Sequence, residues 1–247
     1  MPSFLNLTWV NLKLYVREPV ATFFTLAFPP LMVLLFGGMY GNEPSALFGG
    51  LGPMDISMPA YTAMILATVA FIGVPITLGA YREAGVLRRY KATALRPFTY
   101  ILSDVVSNLL MTLVGMVGLV LVGWLLYRVH FQGNILVVIA AVVFCGLAMF
   151  AVGYLIASVA PNARTAQVVS MVIFYPMLFL SGAAIPLEIM PATIKKISSF
   201  LPLTYVVKLL RGLWFGDWWG EHLLETAVLA AILVLGAALS ARFFRWE

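Results

Sequence analysis

The chain has 247 residues, 62% of them hydrophobic and only 10% charged, with a formal net charge of +5. Soluble domains carry about 25% charged and 45–50% apolar residues, so composition excludes a water-exposed globular fold. Nucleic acid is not indicated, because the basic residues sit between apolar runs, where the positive-inside rule puts them. The single cysteine, Cys145, allows no internal disulfide.

In chain order, residues 3–18 read as an amphipathic helix. Asn6, Lys13 and Arg17 fall on one face, and Phe4, Leu5, Trp9, Leu12 and Val16 on another, which suits a helix lying in the membrane interface; the alternative is the first turns of a longer span. The opening residues lack the basic start, short apolar core and cleavage site of a signal peptide. Apolar runs then recur, long enough to cross a hydrocarbon core of about 30 Å as helix and without the alternation of barrel strands. They are expected at 21–40, 58–80, 100–127, 135–159, 168–182 and 223–240. Pro29 and Pro30 should kink the first span. Pro161, Asn162 and Arg164 should form a polar turn between the fourth and fifth. The 183–220 segment, with Pro186, Pro191 and Pro202, is too broken for a full span and too apolar for an ordinary loop. It reads as short re-entrant helices.

The expectation is therefore an all-α integral membrane protein of six transmembrane helices, folded as one domain over 1–247. Ten Lys and Arg residues fall on one side (Lys13, Arg17, Arg82, Arg88, Arg89, Lys91, Arg96, Arg164, Arg242, Arg245) and five on the other (Arg128, Lys195, Lys196, Lys208, Arg211). The richer side should be cytoplasmic, with both termini inside and 183–220 outside.

The chain has no G-x-x-x-x-G-K-[ST] phosphate loop and no metal-ligand spacing of His, Cys, Asp and Glu. His130 and His222 both lie in or beside loops, and nothing beyond coexistence joins them to Ser170 or Ser181 as a hydrolase. Asp104 is the acidic residue inside a span, with Asn108 one turn deeper on the same face; it is read as an interface residue paired with an arginine. The lack of a deep acidic relay disfavours ion coupling, so the energy for any transport must come from elsewhere. Gly115, Gly118, Gly153, Ala157, Gly236 and Ser240 should allow close packing of spans, within the chain or between subunits.

Two segments carry a resemblance. Residues 82–89 run Arg-Glu-x-Gly-x-Leu-Arg-Arg, followed by Ala-Thr-x-Leu at 92–95. This closely resembles the first cytoplasmic loop of the type-2 ABC exporter permeases, although Thr93-Ala94-Leu95 stands where the family often has Thr-Pro-Leu, with a proline at Pro97 instead. Ser181-Gly182, Pro186, Met190-Pro191, Pro202-Leu203-Thr204 and Arg211 resemble the C-terminal signature of the same family, where the chain re-enters from outside.

The resemblance implies the permease subunit of an ATP-driven exporter of a hydrophobic or amphiphilic solute such as a drug, antibiotic or lipid, in a bacterial or archaeal cytoplasmic membrane. Residues 1–20 would be its elbow helix, 81–97 its coupling helix and 183–220 its re-entrant segment. It further implies a second permease chain, read as a homodimer, and two copies of a cytoplasmic ATPase. ATP and Mg would lie on that partner, and this chain would bind no cofactor and catalyse no reaction alone. By the same resemblance, Arg82, Glu83, Gly85, Leu87, Arg88, Arg89 and Lys91 form the coupling set, with Arg88 and Arg89 facing acidic groups of the ATPase and Glu83 a basic one. Phe28, Phe71, Met111, Asn108, Phe174 and Met177 are candidates for the substrate path, against a plainer role as packing surface. Polysaccharide export, an ion-coupled carrier and a membrane enzyme or assembly factor are the alternatives.

Overall fold

The computed structural model describes residues 2–45, 48–91 and 97–243. Among them, six helices are long and apolar enough to cross a membrane: Phe23–Tyr40, Pro53–Glu83, Thr99–Tyr127, Ile135–Val159, Ala163–Leu180 and Trp219–Phe243. We call these the first to sixth spans. Shorter helices accompany them, among them α1 (Pro2–Arg17), α2 (Val86–Lys91), α3 (Ala192–Ser198) and α4 (Pro202–Phe215).

The second and fifth spans each begin five residues before their sequence boundaries. The second begins at Pro53, because Gly52 is extended and the Asp55 carboxylate accepts its backbone N–H, closing the first turn; an acidic group there also meets the positive end of the helix dipole. The fifth begins at Ala163, because the Asn162 side chain caps it by accepting the Thr165 N–H at 2.7 Å. Arg164 thus belongs to a helical first turn rather than to a polar loop.

The second span is the axis of the bundle. Every residue from Met54 to Phe71 is buried, as expected of a helix that is apolar all round. The first, third, fourth and fifth spans and α4 all pack on it, while the sixth packs along the fourth. The outward faces of the first, third and sixth spans remain apolar and exposed, as at Leu35, Trp124, Leu125, Val234 and Leu235. With no water-seeking surface there, hydrocarbon is the solvent these faces fit.

The prolines of the first two spans act through their backbone. Each span contains a π-helical turn just ahead of proline: Phe23–Ala27 before Pro29 and Pro30, and Val69–Gly73 before Pro75. Proline lacks the N–H for the i−4 carbonyl and its ring crowds that carbonyl. Here the helix widens instead, so that Phe28 N–H reaches Phe23 O and Val74 N–H reaches Val69 O. Within each turn one carbonyl meets a glycine on a neighbouring span. A methyl group on Gly115 would lie 2.6 Å from Thr25 O, and one on Gly153 would lie 2.0 Å from Ala70 O. Only glycine permits such approaches, which suit Cα–H···O contacts. Of the other small residues, Gly236 sits against Ala151, Ser240 Oγ lies 3.3 Å from Ser158 Oγ, and Gly118 faces open space.

Candidate functional site

At the end of the bundle where the second span leaves it, Arg82 and Glu83 reach sideways. The Arg82 guanidinium donates to Ala157 O at 3.2 Å and to Ala160 O, the carbonyls that end the fourth span. The Glu83 carboxylate accepts the Ala163 N–H at 2.8 Å, at the start of the fifth. A cation therefore meets the negative end of one helix dipole and an anion the positive end of the next. Together they clasp the turn joining the fourth and fifth spans to the base of α2.

Gly85 then turns the chain at φ +68° with nothing within 4 Å of where a side chain would begin. Its role is conformational, since L side chains rarely adopt that region. Leu87 is 1% exposed and anchors α2 in the core, while Arg88 and Arg89 are exposed. The Lys91 side chain and the Thr93-Ala94-Leu95 segment lie outside the described residues. Sequence reading grouped Arg82 and Glu83 with Arg88 and Arg89; the structure bonds the first two to the ends of the fourth and fifth spans, with Glu83 still exposed.

The elbow helix α1 carries three stripes. Leu7, Thr8 and Asn11 are buried against the third span, Leu5, Trp9 and Val16 are exposed and apolar, and Asn6, Lys13 and Arg17 are exposed and polar. The buried stripe makes polar contacts. Asn11 donates to Ser103 Oγ at 3.4 Å, Ser107 Oγ donates to Thr8 O at 3.3 Å, and the Tyr15 and Thr25 hydroxyls meet at 2.7 Å. Burial pushes the Tyr15 hydroxyl up to about 12; the Thr25 hydrogen bond works against this, and the negative charges of Glu18 and Asp104 add to it.

Beside this joint lie two adjoining cavities, of about 240 and about 30 Å³, which share Tyr15, Glu18, Ala21 and Gly73. The larger reaches Phe24, the second-span π turn and Gln167 of the fifth span; the smaller reaches Asp104, Ser107 and Asn108. Among the described residues Asp104 has no arginine partner. Its Oδ2 accepts from Tyr154 OH and, at 3.3 Å, from Asn108 Nδ2. The fourth span brings Tyr154 to Asp104, a placement that sequence separation hides.

The substrate-path candidates divide. Asn108 lines the smaller cavity. Phe71, Met111, Phe174 and Met177 are buried, and Phe28 is half-buried against the core. In this conformation those five serve as packing.

At the opposite end, the segment between the fifth and sixth spans folds over the bundle. Ser181 is buried and Gly182, at φ +93°, turns the chain so that Ala184 N–H reaches back to Leu178 O. Pro186 precedes a 3₁₀ turn, Pro191 precedes α3 and Pro202 opens α4. The buried Ser198 and Thr204 hydroxyls, 2.9 Å apart, join α3 to α4. Arg211 is ion-paired with Glu188. It also lines, with Lys208, a small pocket of about 40 Å³ beside Gly182 and the second span.

A polar knot at the same end escaped the sequence reading. Buried Asp55 Oδ1 accepts Asn42 Nδ2 at 3.1 Å and the His130 N–H at 2.8 Å, and Asn42 Oδ1 accepts the Met54 and Asp55 N–H groups. Trp214 O accepts the Gln132 and Gly133 N–H groups, drawing α4 into the knot. An aspartate two residues after a Gly-Pro helix start was the available signal.

Six helices long and apolar enough to span a membrane, with an amphipathic helix ahead of them, describe a multi-pass membrane protein. The sequence pattern of the ABC-2 type transporter family matches residues 2–215, and the chain belongs to that family. It is 30% identical over 100 residues to nodulation protein J of Rhizobium leguminosarum bv. viciae, covering 40% of this chain and 39% of that one. It is 22% identical over 160 residues to the probable multidrug ABC transporter permease YbhR of Escherichia coli strain K12, covering 65% of this chain and 44% of the relative. The chain thus spans less than half the length of the curated relatives it matches.

Proposed function

We propose that the chain is the permease subunit of an ATP-driven exporter that moves a hydrophobic or amphiphilic solute out of the cytoplasm or inner leaflet. The observation that carries this reading is the clasp. The end of the second span, from which α2 continues, is bonded to the ends of the fourth and fifth spans, so a push on α2 would move three spans together. The family supports an ATPase partner in general, and the name of the YbhR relative supports drug-like solutes. Two ATPase subunits would supply ATP and Mg from the cytoplasm, and a second copy of this chain would complete the path. Exposed Arg88 and Arg89 would dock on acidic groups of the ATPase, anchored by Leu87 beneath. Charges at such an interface set docking geometry and rate more than affinity.

Closure of the ATPase pair would displace α2. Arg82 and Glu83 would carry that displacement to the 157–163 turn, and α1 would follow through its contacts with the third span. The π turns offer places for the first two spans to repack. The test is to reverse Arg88 and Arg89 and measure co-purification of the ATPase and its stimulation in native-like membranes. Both should fall; wild-type values in both assays sink the reading.

A further inference from the structure

The cavity beside α1 has a chemistry that export alone does not specify. Glu18 lines both adjoining parts of it and Asp104 the smaller part, and no Lys or Arg among the described residues lines either. Neither carboxylate has a described ion-pair partner within 4 Å. Both hydrogen bonds to Asp104 fall on Oδ2, leaving Oδ1 without a described partner. Both carboxylates line the smaller cavity, together with Tyr15. Tyr15, Phe24 and Tyr81 supply aromatic surface, and Val69 and Ile72 supply apolar wall.

A carboxylate beside apolar walls is costly unless compensated. A cation compensates it, an anion is repelled, and a neutral solute gains nothing from it. Aromatic rings add attraction for a cation, about 0.5–2 kcal/mol each when suitably placed. The larger cavity, about 240 Å³, approaches the roughly 300 Å³ at which small-molecule sites begin. The pocket at the far end has the opposite character, lined by Lys208 and by Arg211, which is paired with Glu188 outside the lining.

We propose that this cavity binds a lipophilic organic cation, an amine or quaternary ammonium on an aromatic or aliphatic body, as the transported substrate class. As a statement about transport it rests on the export reading above. The acidic cavity takes up the cation at the α1 end, and the basic pocket at the other end disfavours its rebinding after release.

The test uses the full chain in lipid nanodiscs, titrated with ethidium (cationic), Nile red (neutral) and carboxyfluorescein (anionic). Ethidium should bind saturably, and Glu18→Gln or Asp104→Asn should each weaken it about tenfold, the effect of roughly 1.4 kcal/mol. Glu18→Asp should retain most of the binding, and Nile red should be indifferent to all three changes. Glu18 is exposed and its loss should leave the fold intact, so its variants decide the matter even if Asp104→Asn misfolds. Ethidium binding unchanged in Glu18→Gln and Asp104→Asn, or carboxyfluorescein binding as tightly as ethidium, overturns the proposal. This binding needs neither ATP nor an ATPase. ATP-dependent efflux from vesicles holding the whole complex then separates the two ideas. Ethidium binding with efflux of no probe sinks the export reading and leaves the cation site standing. Efflux of Nile red without ethidium sinks the cation as substrate.

Discussion

Single side chains decide how the charged loop meets the bundle. Arg82 satisfies two carbonyls that end the fourth span and would otherwise face a helix terminus without donors. Arg82→Ala should cost about 1–3 kcal/mol, the range for losing charge-assisted hydrogen bonds and stranding acceptors. Thermal unfolding in detergent should report it as a midpoint lower by several degrees, and ATPase stimulation should fall with it. A second contrast lies at two glycines on the spans. Gly153→Ala would press a methyl group to 2.0 Å from Ala70 O, whereas Gly118→Ala meets nothing within 4 Å. The first should destabilise by about 1–3 kcal/mol through overpacking. The second should be neutral or stabilise by up to about 1 kcal/mol, because alanine favours helix. Parallel thermal melts of the two variants would show the opposite signs.

Among elements, the second span joins the greatest number of observations. Its π turn ahead of Pro75 holds one residue more than an α-helical turn would need, which rotates everything beyond it by about 100° relative to an unbroken α-helix. That rotation aims Arg82 at the end of the fourth span and Glu83 at the start of the fifth. Pro75→Ala returns an N–H that can reach Phe71 O, so the turn should relax toward α-helix and the clasp should lose its alignment. ATPase stimulation should then drop while co-purification persists, since Arg88 and Arg89 remain on α2. Retained stimulation would show that the clasp does not depend on the π turn. The elbow offers a parallel case. Its exposed polar and exposed apolar stripes follow from spacing, but a third stripe of Leu7, Thr8 and Asn11 packs on the third span.

For the whole molecule, orientation is the testable quantity. The ten basic residues assigned to one side outnumber the five on the other, a bias that orients membrane proteins. Cys145 is 0% exposed, so the native chain should give little background with an impermeant maleimide. Lys196→Cys should then be labelled in intact cells, and Arg164→Cys only after permeabilisation. The reverse pattern would invert the topology and, with it, the side from which α2 could be pushed.

Much of this protein was legible from residue order because the bilayer leaves few options. Long apolar runs must be helices, and charges must sit between them. The six spans, the amphipathic α1 and the broken segment after Gly182 are readable for that reason, as is the family through its 82–89 and 181–211 patterns. Where Arg82, Glu83 and Asp104 point was not readable, because their partners on other spans lie at least 50 positions away in the chain. Sequence spacing reports which residues share a helix face, not which neighbouring helix that face will meet. Glu83 looked like a group for an outside partner, yet helix packing delivered it to the N-terminus of the fifth span. Asp104 looked like an arginine's partner, and packing gave it Tyr154. Composition and periodicity determined that this is a six-span membrane protein. The pairing of spans across the bundle determined which charges are occupied within it and which, at Glu18 and Arg88–Arg89, stay exposed.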